Sequence, residues 1–194
     1  WCVACGAGKY NGPGDDPSLG VDTRCDAFVD SAALKAAVNN CLAVDATGVA
    51  CCSQGADCGI AGTVEMPLWD VLQVTSMSEL FNGKGQFNAD IGSWDTSRVT
   101  TMYRMFNSAG KFNQHLSRWD VSSVTNMGYM FWYADAFNKM PVGWDTSKVT
   151  SSSGMFKAAD AWYARFEGGD DNTLPGGGWT RKDNACDASL APLN

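Results

Sequence analysis

The chain repeats itself in register, and nothing else in it constrains the fold as strongly. From Trp94 it reads "WDTSRVTTMYRMF", from Trp119 "WDVSSVTNMGYMF" and from Trp144 "WDTSKVTSSSGMF". These tryptophans are 25 residues apart, and a looser copy, "WDVLQVTSMSELF", begins one interval earlier at Trp69. Equal spacing without insertions requires each copy to fill the same shape of space as its neighbours. Residues in one slot then form columns. Trp69, Trp94, Trp119 and Trp144 make one, each followed by an Asp (Asp70, Asp95, Asp120, Asp145). Val74, Val99, Val124 and Val149 make another, each followed by Thr, and Met77, Met102 and Met127 a third. Phe81, Phe106, Phe131 and Phe156 come next, and then Phe87, Phe112, Phe137 and Trp162. Stacked columns of this kind predict a continuous apolar core.

Local patterns suggest how one copy is built. "FNADI" and "FNQHL" read as short strands that pair in parallel from copy to copy. Thr100 reads as a helix N-cap. Met102, Met105 and Phe106, at i, i+3 and i+4, read as the buried face of a short helix. The Asp after each Trp suits an Asx-turn. The expected fold is an α/β repeat solenoid, leucine-rich-repeat-like, with one short parallel strand plus a short helix per 25-residue coil and a disulfide-rich N-terminal helical cap. The expected divisions are a Cys-rich segment and cap helix at 1–61, four to five coils at 62–166, and a Gly-rich cap or linker at 167–194.

Before the repeats, "SAALKAAVNNCLA" has good helix formers, with Leu34, Val38, Cys41 and Leu42 on one face and Asp30 or Ser31 as cap. After them, "EGGDDNTLPGGGW" carries little apolar surface apart from Phe166, Leu174 and Trp179. The C-terminal end is therefore expected to be completed from outside the chain, with Trp179 folding back over the last coil as the competing expectation.

Cysteine marks the compartment. Cys2, Cys5, Cys25, Cys41, Cys51, Cys52 and Cys58 precede the repeats and Cys186 follows them. Cys2 and Cys5 form a CxxC, but His115 is the only His in the chain and a second ligand pair is missing. The eight cysteines are disulfide candidates rather than metal ligands, with at least three bridges expected in the N-terminal cap and an extracellular or cell-surface location. Lys plus Arg total 14 against 21 acidic residues, a net charge of -7, with no basic cluster, so nucleic acid is not an expected partner. No apolar run is long enough for a membrane span. The start at Trp1 is expected of a processed product or a piece of something longer.

The columns together give "FNxxIxxWDxSxVTxMxxMF", which resembles the BspA-type variant of the leucine-rich repeat, found in microbial surface lipoproteins and algal secreted multi-domain proteins. The resemblance covers about residues 62–162. It implies a right-handed solenoid with one parallel sheet and roles in adhesion or surface recognition, with no established enzymatic activity. The last copy departs from the pattern at Pro141 and Ser152, as a terminal coil would. "CVACGAGKY" is similar to the start of small Cys-rich extracellular modules, which implies that Cys186 opens a following one.

No constellation suits catalysis, and no cofactor is expected. His115 is expected to face solvent, and the Asp column suits turn capping. Asp15, Asp16, Asp170 and Asp171 lie in Gly-rich loops without the spacing of an EF-hand. Once the columns are removed, Tyr103, Arg104, Tyr129, Trp132 and Tyr133 remain as large residues that do not repeat, and they are the candidate binding residues. The expected function is a non-enzymatic structural or recognition module in a cell-surface coat, appendage or matrix. Its partners would be other surface or matrix proteins, copies of itself among them. The alternative is a carbohydrate-binding module using exposed aromatics.

Overall fold

The computed structural model describes residues 27–175 and 177–182. Helix α1 (Ser31–Val44) starts where Asp30 accepts a hydrogen bond from the N–H of Ala33 at 2.7 Å. It buries Leu34, Ala37, Val38, Cys41 and Leu42. The loop after it is organised by Asp45, which accepts from the N–H and hydroxyl of Thr47 and from the N–H of Val49 and Ala50. Disulfides Cys41–Cys51 and Cys52–Cys58 tie this loop to α1. The N-terminal region is thus disulfide-rich, as expected, with two bridges among the described residues. Cys2, Cys5, Cys25 and Cys186 lie outside them, as do Asp15 and Asp16.

The strand-and-helix solenoid does not form. Between Trp69 and Ala159 the chain has neither a helix nor a named strand. Among the described residues, regular structure is confined to α1, two short 3-10 turns (Gly59–Ala61 and Met66–Leu68), a second helix α2 (Asp160–Arg165) and two strands, β1 (Phe166–Glu167) and β2 (Thr180–Arg181). The strands are antiparallel, with Phe166 opposite Arg181. The repeats are joined instead by isolated parallel bridges, Ser76 to Thr101 to Asn126 to Ser151, and by turn hydrogen bonds.

Backbone conformation explains why no helix forms. Left-handed residues recur four apart in every copy: Glu79 and Gly83, Arg104 and Ser108, Tyr129 and Tyr133, Gly154 and Ala158, with φ between 54° and 73°. A right-handed helix cannot contain them. The freed N–H groups turn toward the next copy. Met102, Arg104, Phe106 and Ser108 donate to the carbonyls of Asn126, Gly128, Met130 and Trp132 at 2.7–3.0 Å, and the copies on either side do the same. Thr100 is not a cap. Its N–H and hydroxyl both donate to the carbonyl of Thr75, and Thr125 and Thr150 repeat the contact one copy on.

The expected strand at "FNADI" fails for a related reason. There the neighbouring copy is bonded through a side chain: Asn113 N–H donates to Asn88 Oδ1 at 2.9 Å, and Asn138 N–H to Asn113 Oδ1 at 3.1 Å. An amide oxygen thus stands where a strand partner's carbonyl would. The Asp column does form Asx-turns, with the N–H of Leu72, Ser97, Ser122 and Ser147 on Asp70, Asp95, Asp120 and Asp145.

The apolar columns pack as their spacing requires. Phe81, Phe106, Phe131 and Phe156 stack with ring centroids 5.4–5.6 Å apart, and Phe87, Phe112, Phe137 and Trp162 at 5.6–6.0 Å. The two files also stack on each other at 3.9–4.0 Å. The buried Trp column is satisfied without water. Trp94, Trp119 and Trp144 donate their indole N–H to the carbonyls of Met66, Ile91 and Leu116 at 2.9–3.0 Å. A buried N–H with an acceptor avoids the desolvation cost of an unpaired one.

Both ends of this stack are covered from within the chain. Phe28 packs on Trp69 and its N–H bonds Asp70, while Asn88 N–H reaches Thr47. At the other end, residues 171–172 stand in for a further copy. Phe156 N–H donates to Asp171 and Gly154 N–H to Asn172 Oδ1, the slots that the preceding copies fill with their successors. Ser152, where the Met column ends, donates its hydroxyl to the Asn172 carbonyl. Trp179 lies edge-on over Phe156 and Trp162 and donates to the carbonyl of Thr173. The expected open C-terminal end is therefore corrected: the tail closes it.

Candidate functional site

Because the copies satisfy one another, distinctive chemistry is left to the side chains that do not recur. Tyr103, Arg104, Tyr129, Trp132 and Tyr133 come together as one surface cluster. The Arg104 guanidinium carbon lies 5.1 Å from the Tyr103 ring, 5.5 Å from Tyr129 and 6.0 Å from Trp132. Tyr103 and Tyr129 meet edge to face at 6.1 Å. Trp132 tilts onto Tyr129 at 5.2 Å and lies nearly parallel to Tyr133 at 5.4 Å. Tyr133 is 51% exposed, while the other four are half-buried.

Copy geometry places them. Arg104 and Tyr129 occupy one left-handed slot in successive copies, and Tyr133 the other. Each Tyr ring settles over the glycine one copy later. Tyr103 Cδ2 lies 3.5 Å from where a Cβ of Gly128 would be, and Tyr129 Cε1 only 2.6 Å from a Cβ at Gly154. Sequence reasoning missed these glycines, although each follows its tyrosine by one repeat interval. It also passed over Lys157, whose ammonium lies 5.8 Å from the Trp132 ring.

Electrostatically the cluster is donor-rich. No carboxylate pairs with Arg104 among the described residues, and its charge is held by ring faces, an attraction of about 0.5–2 kcal/mol each. Arg104 Nε and Trp132 Nε1 are buried without an acceptor. Leaving such a donor unpaired costs about 1–3 kcal/mol.

Other polar groups are committed to structure. The Ser122 N–H holds Asp120 below its ordinary pKa, and the Ser147 hydroxyl does the same for Asp145, so both stay ionised as turn caps. Asp95 and Asp120, with Arg118, line a shallow groove of about 470 Å³ beside Trp94. Asp170 caps its own loop through Asn172 and Thr173, and Asp171 accepts the Tyr163 hydroxyl. Burial and that carboxylate raise the Tyr163 pKa well above its ordinary value. His115 is exposed. The sulfurs of Cys41, Cys51, Cys52 and Cys58 lie within 4.8 Å of one another, near enough to share one ion as thiolates, but they are paired as two disulfides. No helix among the described residues is long and apolar enough to cross a membrane.

Residues 58–167, more than half of the chain and all four Trp-led copies, match a family described as "Mycoplasma protein of unknown function, DUF285". The chain belongs to this family. The DUF285 match takes in the whole aromatic cluster, together with Lys157 and the glycines beneath the two tyrosines. No curated protein and no solved structure gives a significant match.

Proposed function

We propose that this DUF285 chain is a non-enzymatic extracellular module that makes protein–protein contacts in a surface coat, appendage or matrix. The observation that carries the reading is the cluster of Tyr103, Arg104, Tyr129, Trp132 and Tyr133, which breaks the repeat only on the surface. Tyr, Trp and Arg are the side chains over-represented at the centres of protein interfaces. The two disulfides support an oxidising compartment, and the BspA-type resemblance agrees with a surface role. One observation favours the carbohydrate reading: the near-parallel Trp132 and Tyr133 rings, with Tyr133 half exposed, could stack on a sugar.

A display library of random peptides and a glycan array, screened with the same folded chain, test the proposal. It expects peptide ligands whose affinity falls about tenfold or more in Trp132→Ala. Sugar ligands lost in the same variant, without peptide ligands, would transfer the site to the carbohydrate reading. Ligands indifferent to Trp132 and Tyr133, or none in either screen, would contradict recognition through this surface.

A further inference from the structure

We infer that the ligand of this surface is an acidic, extended peptide segment of a partner protein, with carboxylates on Arg104 and Lys157 and apolar side chains against the rings. The inference rests on the recognition reading above and adds the chemistry of the partner. It starts from charge. The chain carries -7 overall, yet two of its 14 Lys and Arg residues converge on one Trp ring, at 6.0 and 5.8 Å. Neither has a carboxylate partner among the described residues.

Hydrogen-bonding capacity narrows the choice. The fold supplies an acceptor to each indole of the Trp column; Trp132 Nε1 and Arg104 Nε are buried without one, so a ligand meets Arg104 through its terminal guanidinium nitrogens and Lys157 through its ammonium. Arg and Lys offer only donors, as does the indole. A carboxylate only accepts, and its planar pair of oxygens matches a guanidinium bidentately. A neutral sugar's hydroxyls could exchange hydrogen bonds with the tyrosine hydroxyls, but they bring no charge to match Arg104 and Lys157.

Shape points the same way. Tyr103 and Tyr129 are nearly perpendicular, at 84°, and Tyr129 and Trp132 are inclined at 43°. Rings set at such angles make an uneven surface rather than one flat platform. The cluster also runs over three copies, from Tyr103 through Trp132 to Lys157. That length suits an extended segment, in which alternate side chains point to one face.

The test uses fluorescence anisotropy of a labelled dodecapeptide of alternating Glu and Tyr, with the Gln/Tyr peptide as its uncharged counterpart and polygalacturonate as the acidic-glycan arm. The wild-type chain should bind the Glu/Tyr peptide at least about tenfold more tightly than the Gln/Tyr peptide, with affinity falling as salt is raised. Arg104→Gln and Lys157→Gln should each weaken it by about tenfold, and Arg104→Lys by less, because the charge remains while the fork is lost. Lys157 is exposed, so its variant reports even where Arg104→Gln misfolds. Equal binding of the two peptides, indifference to Lys157→Gln, or binding of polygalacturonate alone would overturn the inference. Neutral peptides that bind and are lost in Trp132→Ala would also overturn it while leaving the recognition reading intact. Loss of all dependence on Trp132 would remove that reading itself.

Discussion

The Tyr129 ring occupies the space that a side chain at residue 154 would need: a Cβ on Gly154 would lie 2.6 Å from Cε1 and 2.7 Å from Cδ1. Gly154 also has φ +61°, the left-handed slot that Arg104 and Tyr129 fill in earlier copies. Gly154→Ala therefore meets two penalties, about 1–2 kcal/mol of backbone strain and a clash with the ring. Only the clash depends on Tyr129. Chemical denaturation of both single variants and the double should give a coupling of about 0.5–3 kcal/mol, with Gly154→Ala milder in the Tyr129→Ala background. Strict additivity would show that the ring does not sit there.

Trp119 separates packing from hydrogen bonding. It is buried and donates to the Ile91 carbonyl at 3.0 Å. Trp119→Ala should cost about 3–5 kcal/mol through the cavity it leaves. Trp119→Phe keeps a ring and strips the carbonyl of its donor, so about 1–3 kcal/mol is expected. A loss near zero for Trp119→Phe in urea unfolding would mean that the indole bond contributes nothing, and a loss equal to that of Trp119→Ala would mean that the ring's packing adds nothing.

The disulfides bear on stability as well as on compartment. Cys41–Cys51 and Cys52–Cys58 fasten the loop that contacts the first copy through Thr47. Reduction should lower stability by about 2–4 kcal/mol per bridge, measured as a shift in the thermal midpoint with and without a dithiol reductant. Alkylation of all four thiols in the native protein without reductant would contradict the pairing.

Acid should weaken the fold through its turn-capping carboxylates. The Thr47 hydroxyl and the Ala50 N–H hold Asp45 below its ordinary pKa, and Asp120 and Asp145 are lowered by Ser122 and Ser147. Because the folded values are depressed, this stability is fully present above the ordinary Asp value of about 3.9 and is lost as pH falls through the lower folded values. Urea midpoints should be flat from pH 7 to about 5 and drop below about 4, with a smaller drop in Asp45→Asn. An unchanged drop in that variant would remove Asp45 from the account.

What could be read from the sequence was whatever the repeat interval controls. The Trp and Phe columns, the Asx-turns and the buried face of α1 all follow from residue type and spacing. The secondary structure within a copy did not follow. Met102, Met105 and Phe106 face the core at helical spacing, but a turn-built segment can present the same three residues. The decisive feature, φ above zero, falls on Glu79, Arg104 and Tyr129, which do not signal it as glycine would. Asn88 and Asn113 hid the missing strand, because a side-chain amide bonds the neighbouring copy where a backbone carbonyl was expected. The tail misled through its composition: few apolar residues, yet Trp179 alone covers two rings. The five candidate binding residues were found by subtraction, while Lys157, one repeat interval after Trp132, was not among them.

The most direct test of recognition through the aromatic cluster is hydroxyl-radical footprinting of the chain, free and bound to any ligand from the peptide or glycan screens. Tyr and Trp are oxidised readily, so the proposed surface reports on itself. The account predicts protection of Tyr103, Tyr129, Trp132 and Tyr133 in the complex, with exposed His115 unchanged. Protection centred on the groove of Trp94 and Arg118, with Trp132 and Tyr133 oxidised as in the free chain, would contradict it.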